Sequence, residues 1–97
     1  MAQNIEKVFK KYFIISNNVQ KMNFILFTWR FARGGKWIPF DEENQILLEK
    51  QWEEAVTMLE ISDRHFDKNV RVNMNELYIS IQNPGIETRL KICRFIN

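Results

Sequence analysis

A chain of 97 residues, 45% hydrophobic and 27% charged with three Gly and two Pro, has room for one folded domain and too much apolar content for a disordered or low-complexity tail. Its single cysteine, Cys93, and single histidine, His65, exclude an internal disulfide framework and a Cys/His zinc cluster, which needs three or four ligands at short spacing. The net charge of +2 hides a segregation: residues 1–40 hold seven Lys/Arg against Glu6 alone, residues 41–62 hold Lys50 against seven acids, and residues 63–97 carry a small basic excess. A nucleic-acid reader usually shows a stronger basic excess on one face.

In chain order, Ile5, Val8, Phe9, Tyr12 and Phe13 recur at helical spacing with Lys7, Lys10 and Lys11 between them, which predicts an amphipathic helix over residues 3–14. Asn17-Asn18 breaks that period, so residues 1–22 read as a helix and linker ahead of a domain at 23–97. Aromatic and β-favouring residues dominate 23–32, with Ile25, Phe27, Trp29 and Phe31 on one face of a strand and Leu26, Thr28 and Arg30 on the other. Gly34-Gly35 suits the positive φ angles of a tight hairpin leading into Lys36 to Phe40. Pro39 cannot donate to a ladder, so the second strand is expected to be short or at an edge.

Asp41 to Asn44 offer N-cap chemistry and negative charge to a helix start, and no Gly or Pro follows until well past Glu60. The pattern predicts one main helix running to about Glu60, with Leu48, Trp52, Ala55 and Leu59 on its apolar face. Residues 62–69 read as a polar loop pinned only by Phe66. Val70, Val72 and Met74 alternate, as do Leu77, Ile79 and Ile81, and Asn83-Pro84-Gly85 supplies a turn. Ile86, Thr88, Leu90 and Ile92 continue the alternation, with Arg89, Lys91 and Cys93 opposite. The fold class is therefore α+β: a small antiparallel sheet packed on one main helix, plus the N-terminal helix.

No nucleophile, base and orienting group can be assembled around His65, which reads as a plain surface residue, so neither a catalytic set nor a metal or cofactor site is expected. The apolar run Phe24 to Phe27 is far short of the roughly 20 residues of a membrane span, and residues 1–22 lack the features of a signal peptide. A cytoplasmic or nuclear location is the expectation. Arg33-Gly34-Gly35-Lys36 lacks the fuller pattern of a phosphate loop and reads as a turn flanked by solvated bases. Most of the acids between Glu42 and Glu60 read as a solvated helix face. Glu49 differs: it follows Leu48 and precedes Trp52 by three, close to the buried seam, and a buried carboxylate needs a partner. The available ones are the indole N–H of Trp29 or Trp37, or Arg94. Aromatic strands interleaved with bases also fit a single-stranded nucleic-acid surface, although such aromatics more often fill a core.

Trp29 and Trp37 across the Gly-Gly hairpin, with Glu49 inside the following helix, resemble the WWE domain, named for two tryptophans and a glutamate. The segment W-R-F-A-R-G-G-K-W-I-P-F followed by L-L-E-K-Q-W resembles its first hairpin and helix. V-R-V-N-M-N-E-L is similar to a later strand, with Asn73 for the family's Asp and Leu77 for its Met, and R-L-K-I-C-R is similar to its basic last strand. The likeness spans about residues 24–96. It implies a half-open antiparallel barrel on one helix, and a non-enzymatic recognition role in ubiquitination and ADP-ribosylation systems, where several members bind the iso-ADP-ribose unit of poly(ADP-ribose). By position, Phe31 and Val70 stand where binders carry Tyr, Ile79 where they carry a ligand-reading Gln, Gly34 where they carry Arg, and Arg89 or Lys91 at the late basic contact. Some relatives in lipid-metabolising proteins, with a similar W-I-P-F stretch, also depart from the binding pattern. The resemblance leaves Phe31, Arg33, Gln82 and Arg89 as residues for ligand contact, with Trp29, Trp37 and Glu49 as the structural signature. The alternatives are a pure protein-protein module with a degenerate pocket and a single-stranded nucleic-acid-binding domain.

Overall fold

The computed structural model describes residues 26–97, so the predicted helix over 3–14 and the linker to residue 22 lie outside the described residues. Six strands form one open antiparallel sheet: β1 (Phe27–Arg33), β2 (Lys36–Pro39), β3 (Met58–Ile61), β4 (Val70–Asn73), β5 (Tyr78–Asn83) and β6 (Ile86–Ile96), in the order β2-β1-β6-β5-β4-β3. The helix α1 (Glu42–Glu53) lies between β2 and β3 in sequence and packs against β1. The fold is α+β, and β2 and β3 are the two edges of the sheet. β6, at 11 residues, is long enough to pair with β1 through its second half and with β5 through its first.

The hairpin between β1 and β2 turns on Gly34 and Gly35 at φ 61° and 77°, the left-handed values that glycine adopts without penalty. Pro39 sits on the short edge strand β2, where its missing N–H costs no interior ladder bond. Alternation places Trp29, Phe31, Ile92, Ile79 and Val72 on one face of the sheet, and all five are buried with Phe40, Leu48, Ile61, Val70 and Met74 in one core. Arg30, Lys91, Arg89 and Arg71 occupy the other face, as their cross-strand pairings require.

The main helix stops seven residues before the expected Glu60. Ala55 takes a left-handed conformation at φ 57°, its N–H donates to the Trp52 carbonyl at 3.2 Å, and the Val56 N–H donates to the Gln51 carbonyl at 3.0 Å. That is the two-bond pattern of a Schellman cap. Leu59 and Glu60 consequently belong to β3 and not to the helix, and Trp52 is 41% exposed at the last turn. Val56 and Thr57, β-branched and poor helix formers, lead directly into the new strand.

The helix start also departs from expectation. Asp41 precedes α1 and its carbonyl accepts the N–H groups of Asn44 and Gln45 at 2.9 Å, but its side chain caps nothing. The carboxylate instead accepts the Arg64 backbone N–H at 2.8 Å and pairs with the Arg64 guanidinium at 2.9 Å. Between β4 and β5 a four-residue turn, Met74 to Leu77, interrupts what the sequence presented as two consecutive alternating runs. The Asn73 side chain accepts the N–H groups of Asn75 and Glu76 at 3.0 and 2.7 Å, and Leu77 closes the turn at φ 63°.

Candidate functional site

Two arrangements gather the residues singled out by the sequence. The first is the polar seam between α1 and β1. Helix positions Asn44, Gln45, Leu48 and Glu49 are the buried ones, so the inner face of α1 is mostly polar and each polar group is matched. Glu49 Oε1 accepts the Trp29 indole N–H at 3.0 Å and the Arg94 Nε–H at 3.0 Å, and its Oε2 accepts Arg94 Nη2 at 2.5 Å. Two of the three expected partners, Trp29 and Arg94, therefore hold the carboxylate together. The third, Trp37, is elsewhere: it is 42% exposed on the outer face and meets Phe95 edge-on at 5.2 Å. Large aromatics at hairpin spacing usually fill the core, as Trp29 does, but hairpin parity turns Trp37 opposite Ala32, away from Phe31.

The second arrangement is a pocket of about 360 Å³ at the end of the sheet where β1 meets its hairpin, lined by Arg33, the 65–69 loop and the end of β5 at Ile81, Gln82 and Asn83. Beneath it lies an aromatic cluster. The Phe31 ring is fully buried and lies 5.0 Å from Phe40, 4.9 Å from Phe66 and 5.3 Å from His65. Arg33, two residues along β1 on the same face, lays its guanidinium over Phe66 at 4.7 Å and Phe31 at 5.3 Å and donates to the His65 carbonyl at 3.2 Å. Cation-π contact and one hydrogen bond thus fix a cation at the mouth of the pocket.

Of the four residues selected for ligand contact, Arg33 and Gln82 line this one pocket, although strand parity and a hydrogen bond to Ser80 put the Gln82 side chain on the outer face. Phe31 lies under it, covered by its neighbours. Arg89 is on the outer face, stacked on Tyr78 at 4.2 Å and paired with Glu87 at 3.1 Å. Gln82 and Arg89 are nonetheless linked: Gln82 Nε2 donates to Ser80 Oγ at 3.1 Å, the Ser80 hydroxyl donates to Glu87 Oε2 at 2.6 Å, and Arg89 Nε donates to that same oxygen. The Ser80 and Arg89 hydrogen bonds hold the Glu87 carboxyl below the usual carboxylate range. Val70 and Ile79 are core residues, and Gly34 is at the exposed tip of the hairpin.

His65 is not a plain surface residue. Its ring is 22% exposed, and its Nδ1 is 2.5 Å from Oδ1 of Asp63, whose side chain is fully buried. The same oxygen accepts the His65 backbone N–H at 3.1 Å, while Oδ2 accepts the Asp41 N–H at 2.8 Å and Asn44 Nδ2 at 2.9 Å. Burial opposes ionisation of Asp63, but these donors together outweigh it and hold the carboxyl below its usual range. Asp41, Asp63 and His65 have potential ligand atoms within 4.8 Å of one another, yet each is engaged by protein partners, so the cluster is a hydrogen-bonded tie that sets the loop carrying Phe66 against α1. Sequence reading missed Asp63, Gln45 and Asn44. The available signal was the helix itself: with Leu48 its one fully apolar buried position, the amphipathic pattern was too thin to bury α1 without polar matching.

Among the described residues no helix is long and apolar enough to cross a membrane. A search among curated proteins gives no match to the chain. The sequence matches the WWE domain family over residues 27–94, a span that runs from the first residue of β1 to Arg94 of the glutamate bridge. WWE domains are protein-interaction modules, often binding poly(ADP-ribose), and not a catalytic family. With the Trp29–Glu49–Arg94 bridge on the inner face of an open antiparallel sheet and a family match covering the described fold, this chain belongs to the WWE domain family.

Proposed function

We propose that this WWE domain is a non-enzymatic recognition module whose pocket beside Arg33 takes an ADP-ribose-type ligand, and that it serves as an adapter in ADP-ribosylation or ubiquitination systems of the cytoplasm or nucleus. The observation that carries the reading is Arg33: its guanidinium is anchored over Phe66 and tied to the His65 carbonyl at the mouth of a 360 Å³ polar pocket. An arginine so held is suited to a phosphate oxygen pair, which it meets with parallel N–H donors. Lys68 adds a second cation to the lining, Asp67 opposes it, Asn69 supplies an amide for ribose or base edges, and Gln82 borders the pocket with its own amide held by Ser80, from which a ligand would have to draw it.

A titration of the labelled full chain with iso-ADP-ribose, ADP-ribose and a short single-stranded oligonucleotide, followed by NMR amide shifts, tests this. Shifts confined to Arg33, the 65–69 loop and Gln82 on adding iso-ADP-ribose support the reading, as does a loss of about tenfold in affinity, roughly 1.4 kcal/mol, in Arg33→Ala. Arg89→Ala, outside the pocket lining, is expected to act less strongly through Glu87 and Gln82. Unchanged binding in Arg33→Ala would place the ligand elsewhere.

The rival reading, a protein-protein module whose ligand pocket has been lost, draws support from Val70 and Ile79. Both are buried apolar residues at positions where ligand-binding relatives are expected to carry Tyr and Gln. Silence toward all three small ligands would favour it. Binding of the oligonucleotide with a steep salt dependence would favour the nucleic-acid reading.

A further inference from the structure

The described fold leaves an apolar strip open at the end of the sheet opposite the Arg33 pocket, and it begins where the described chain begins. Leu26 is 36% exposed and Ile96 81%. Ile96 pairs across strands with Phe27, and the Asn97 N–H donates to the Leu26 carbonyl at 2.9 Å, so the paired ends of β1 and β6 bring Phe27 and Ile96 to one corner of the inner face, with Leu26 at its edge. The Arg94 guanidinium continues the strip, lying 3.6 Å from the Phe27 ring centre and 5.6 Å from that of Trp52. Trp52, 41% exposed at the end of α1, then borders a largely apolar hollow of about 330 Å³ that it shares with Val56 and Met74. Exposed apolar surface of this continuity usually meets a partner.

We infer that residues 3–14 of this same chain dock on that strip. Their sequence pattern gives an amphipathic helix whose apolar residues, Ile5, Val8, Phe9, Tyr12 and Phe13, have nothing to pack against within so short a segment. The eleven residues 15–25 joining it to Leu26 span up to about 36–40 Å when extended, so the tether reaches every part of the strip. Charge agrees as well. The segment carries Lys7, Lys10 and Lys11 against Glu6, whereas the strip passes the C-terminal end of α1, capped by Glu54, where carbonyl groups concentrate negative potential and Lys50 is the one base in the last turn; the Arg94 charge within the strip is already paired with Glu49. The occupant lies outside the span that matches the WWE family, so the docking is a property of this chain and not of the fold.

The three tryptophans make the test internal. With 5-fluorotryptophan in the full chain, the ¹⁹F resonance of Trp52 reports the strip, that of Trp29, 1% exposed, reports the core, and that of Trp37 reports the outer face. Replacing Phe9→Asp together with Phe13→Asp is expected to move the Trp52 resonance and raise its solvent isotope shift while Trp37 stays in place; Trp29, whose ring meets Trp52 edge-on at 5.5 Å, is expected to follow it in position but to keep the small isotope shift of a buried ring. A Trp52 resonance unchanged by that pair of substitutions would overturn the proposal. A second measurement does not rely on disrupting the segment: a nitroxide at Lys10→Cys, with Cys93→Ser, is expected to broaden Trp52 and spare Trp37. Broadening of neither, or of Trp37 alone, would overturn it. So would broadening of Trp52 that appears only when spin-labelled and fluorinated chains are separate molecules mixed together, since that result means a second copy occupies the strip.

Discussion

The side chain of Gln45 takes the place of a strand partner for the backbone of Trp29. The Trp29 N–H donates to Gln45 Oε1 at 2.6 Å, and Gln45 Nε2 donates back to the Trp29 carbonyl at 2.7 Å and to the Phe40 carbonyl at 3.1 Å. The amide is wedged where the β1–β2 ladder comes apart, one residue beyond the Arg30–Pro39 pair. One residue of α1 thereby fixes the helix to the strand that carries both the signature tryptophan and Arg33.

Gln45→Ala is therefore expected to destabilise the fold by about 3 kcal/mol, since a buried backbone donor left without a partner costs roughly 1–3 kcal/mol and a cavity adds to it. The Trp29 carbonyl keeps the Phe40 N–H at 3.2 Å, which limits the loss. Urea unfolding of the variant against the parent measures it. Gln45→Glu discriminates packing from hydrogen bonding: it retains volume but turns an acceptor toward two carbonyls, so it should be no better than the alanine variant at neutral pH. Stability equal to the parent would show that the amide donor contributes nothing.

The Glu49 bridge calls for a different experiment, because an ion pair and the charges left behind by breaking it must be separated. Glu49 is 4% exposed, and its loss in Glu49→Leu strands both the Trp29 indole N–H and the Arg94 guanidinium. Removing one partner of a buried pair costs roughly 3–5 kcal/mol, and because the Arg94 side chain is 25% exposed the expected value is at the lower end, about 3 kcal/mol. Adding Arg94→Leu should recover part of that loss, with the indole N–H still unpaired. A double-mutant cycle with no coupling between positions 49 and 94 would refute the bridge as a unit.

What the sequence made legible follows from which interactions leave a periodic trace. Two-residue alternation placed Trp29 and Phe31, Val70 and Val72, and Ile79 on one face, and Gly34-Gly35 with Pro84-Gly85 marked the turns, because glycine at positive φ is written in the sequence. Glu49 was legible as a buried acid in need of a base. The helix end was not, since Ala55 adopts the left-handed cap without the glycine that normally announces it. Nor was the pocket's underside: His65 and Asp63 sit in a polar octapeptide whose composition describes a loop, and only the fold shows that the loop is pinned from within by Asp63 and from above by Arg33.

Ala55 offers a gain rather than a loss. A left-handed conformation costs an L-residue roughly 1–2 kcal/mol, glycine is free of that penalty, and Ala55 is exposed with no packing to forfeit. Ala55→Gly is expected to stabilise the domain by about 1 kcal/mol and raise its thermal midpoint. Ala55→Val should do the opposite, since a β-branched side chain tolerates the conformation least. A fall in stability on Ala55→Gly would mean that the cap geometry does not persist in solution.

Asp63 sets an expected pH dependence. Its burial works against the charged form, but the Asp41, Asn44 and His65 donors prevail, and the carboxyl titrates below its usual range. A carboxyl with a lower pKa folded than unfolded binds its proton more readily in the unfolded chain. Its contribution is therefore complete above the unfolded value, about pH 4, and is lost as pH falls from there through the folded value. Asp63→Asn presents an amide where a charge accepted four donors, so it should lower stability by about 2 kcal/mol at neutral pH, in line with hydrogen bonds to charged groups. Its stability should also decline less steeply than the parent's below about pH 4. Urea unfolding of both chains across that range reads the slope, and equal slopes would assign the acid sensitivity to other carboxylates. The same substitution loosens the loop that carries Phe66 and lines the Arg33 pocket, so amide exchange at residues 64–69 should quicken in the variant while β5 and β6 keep their protection.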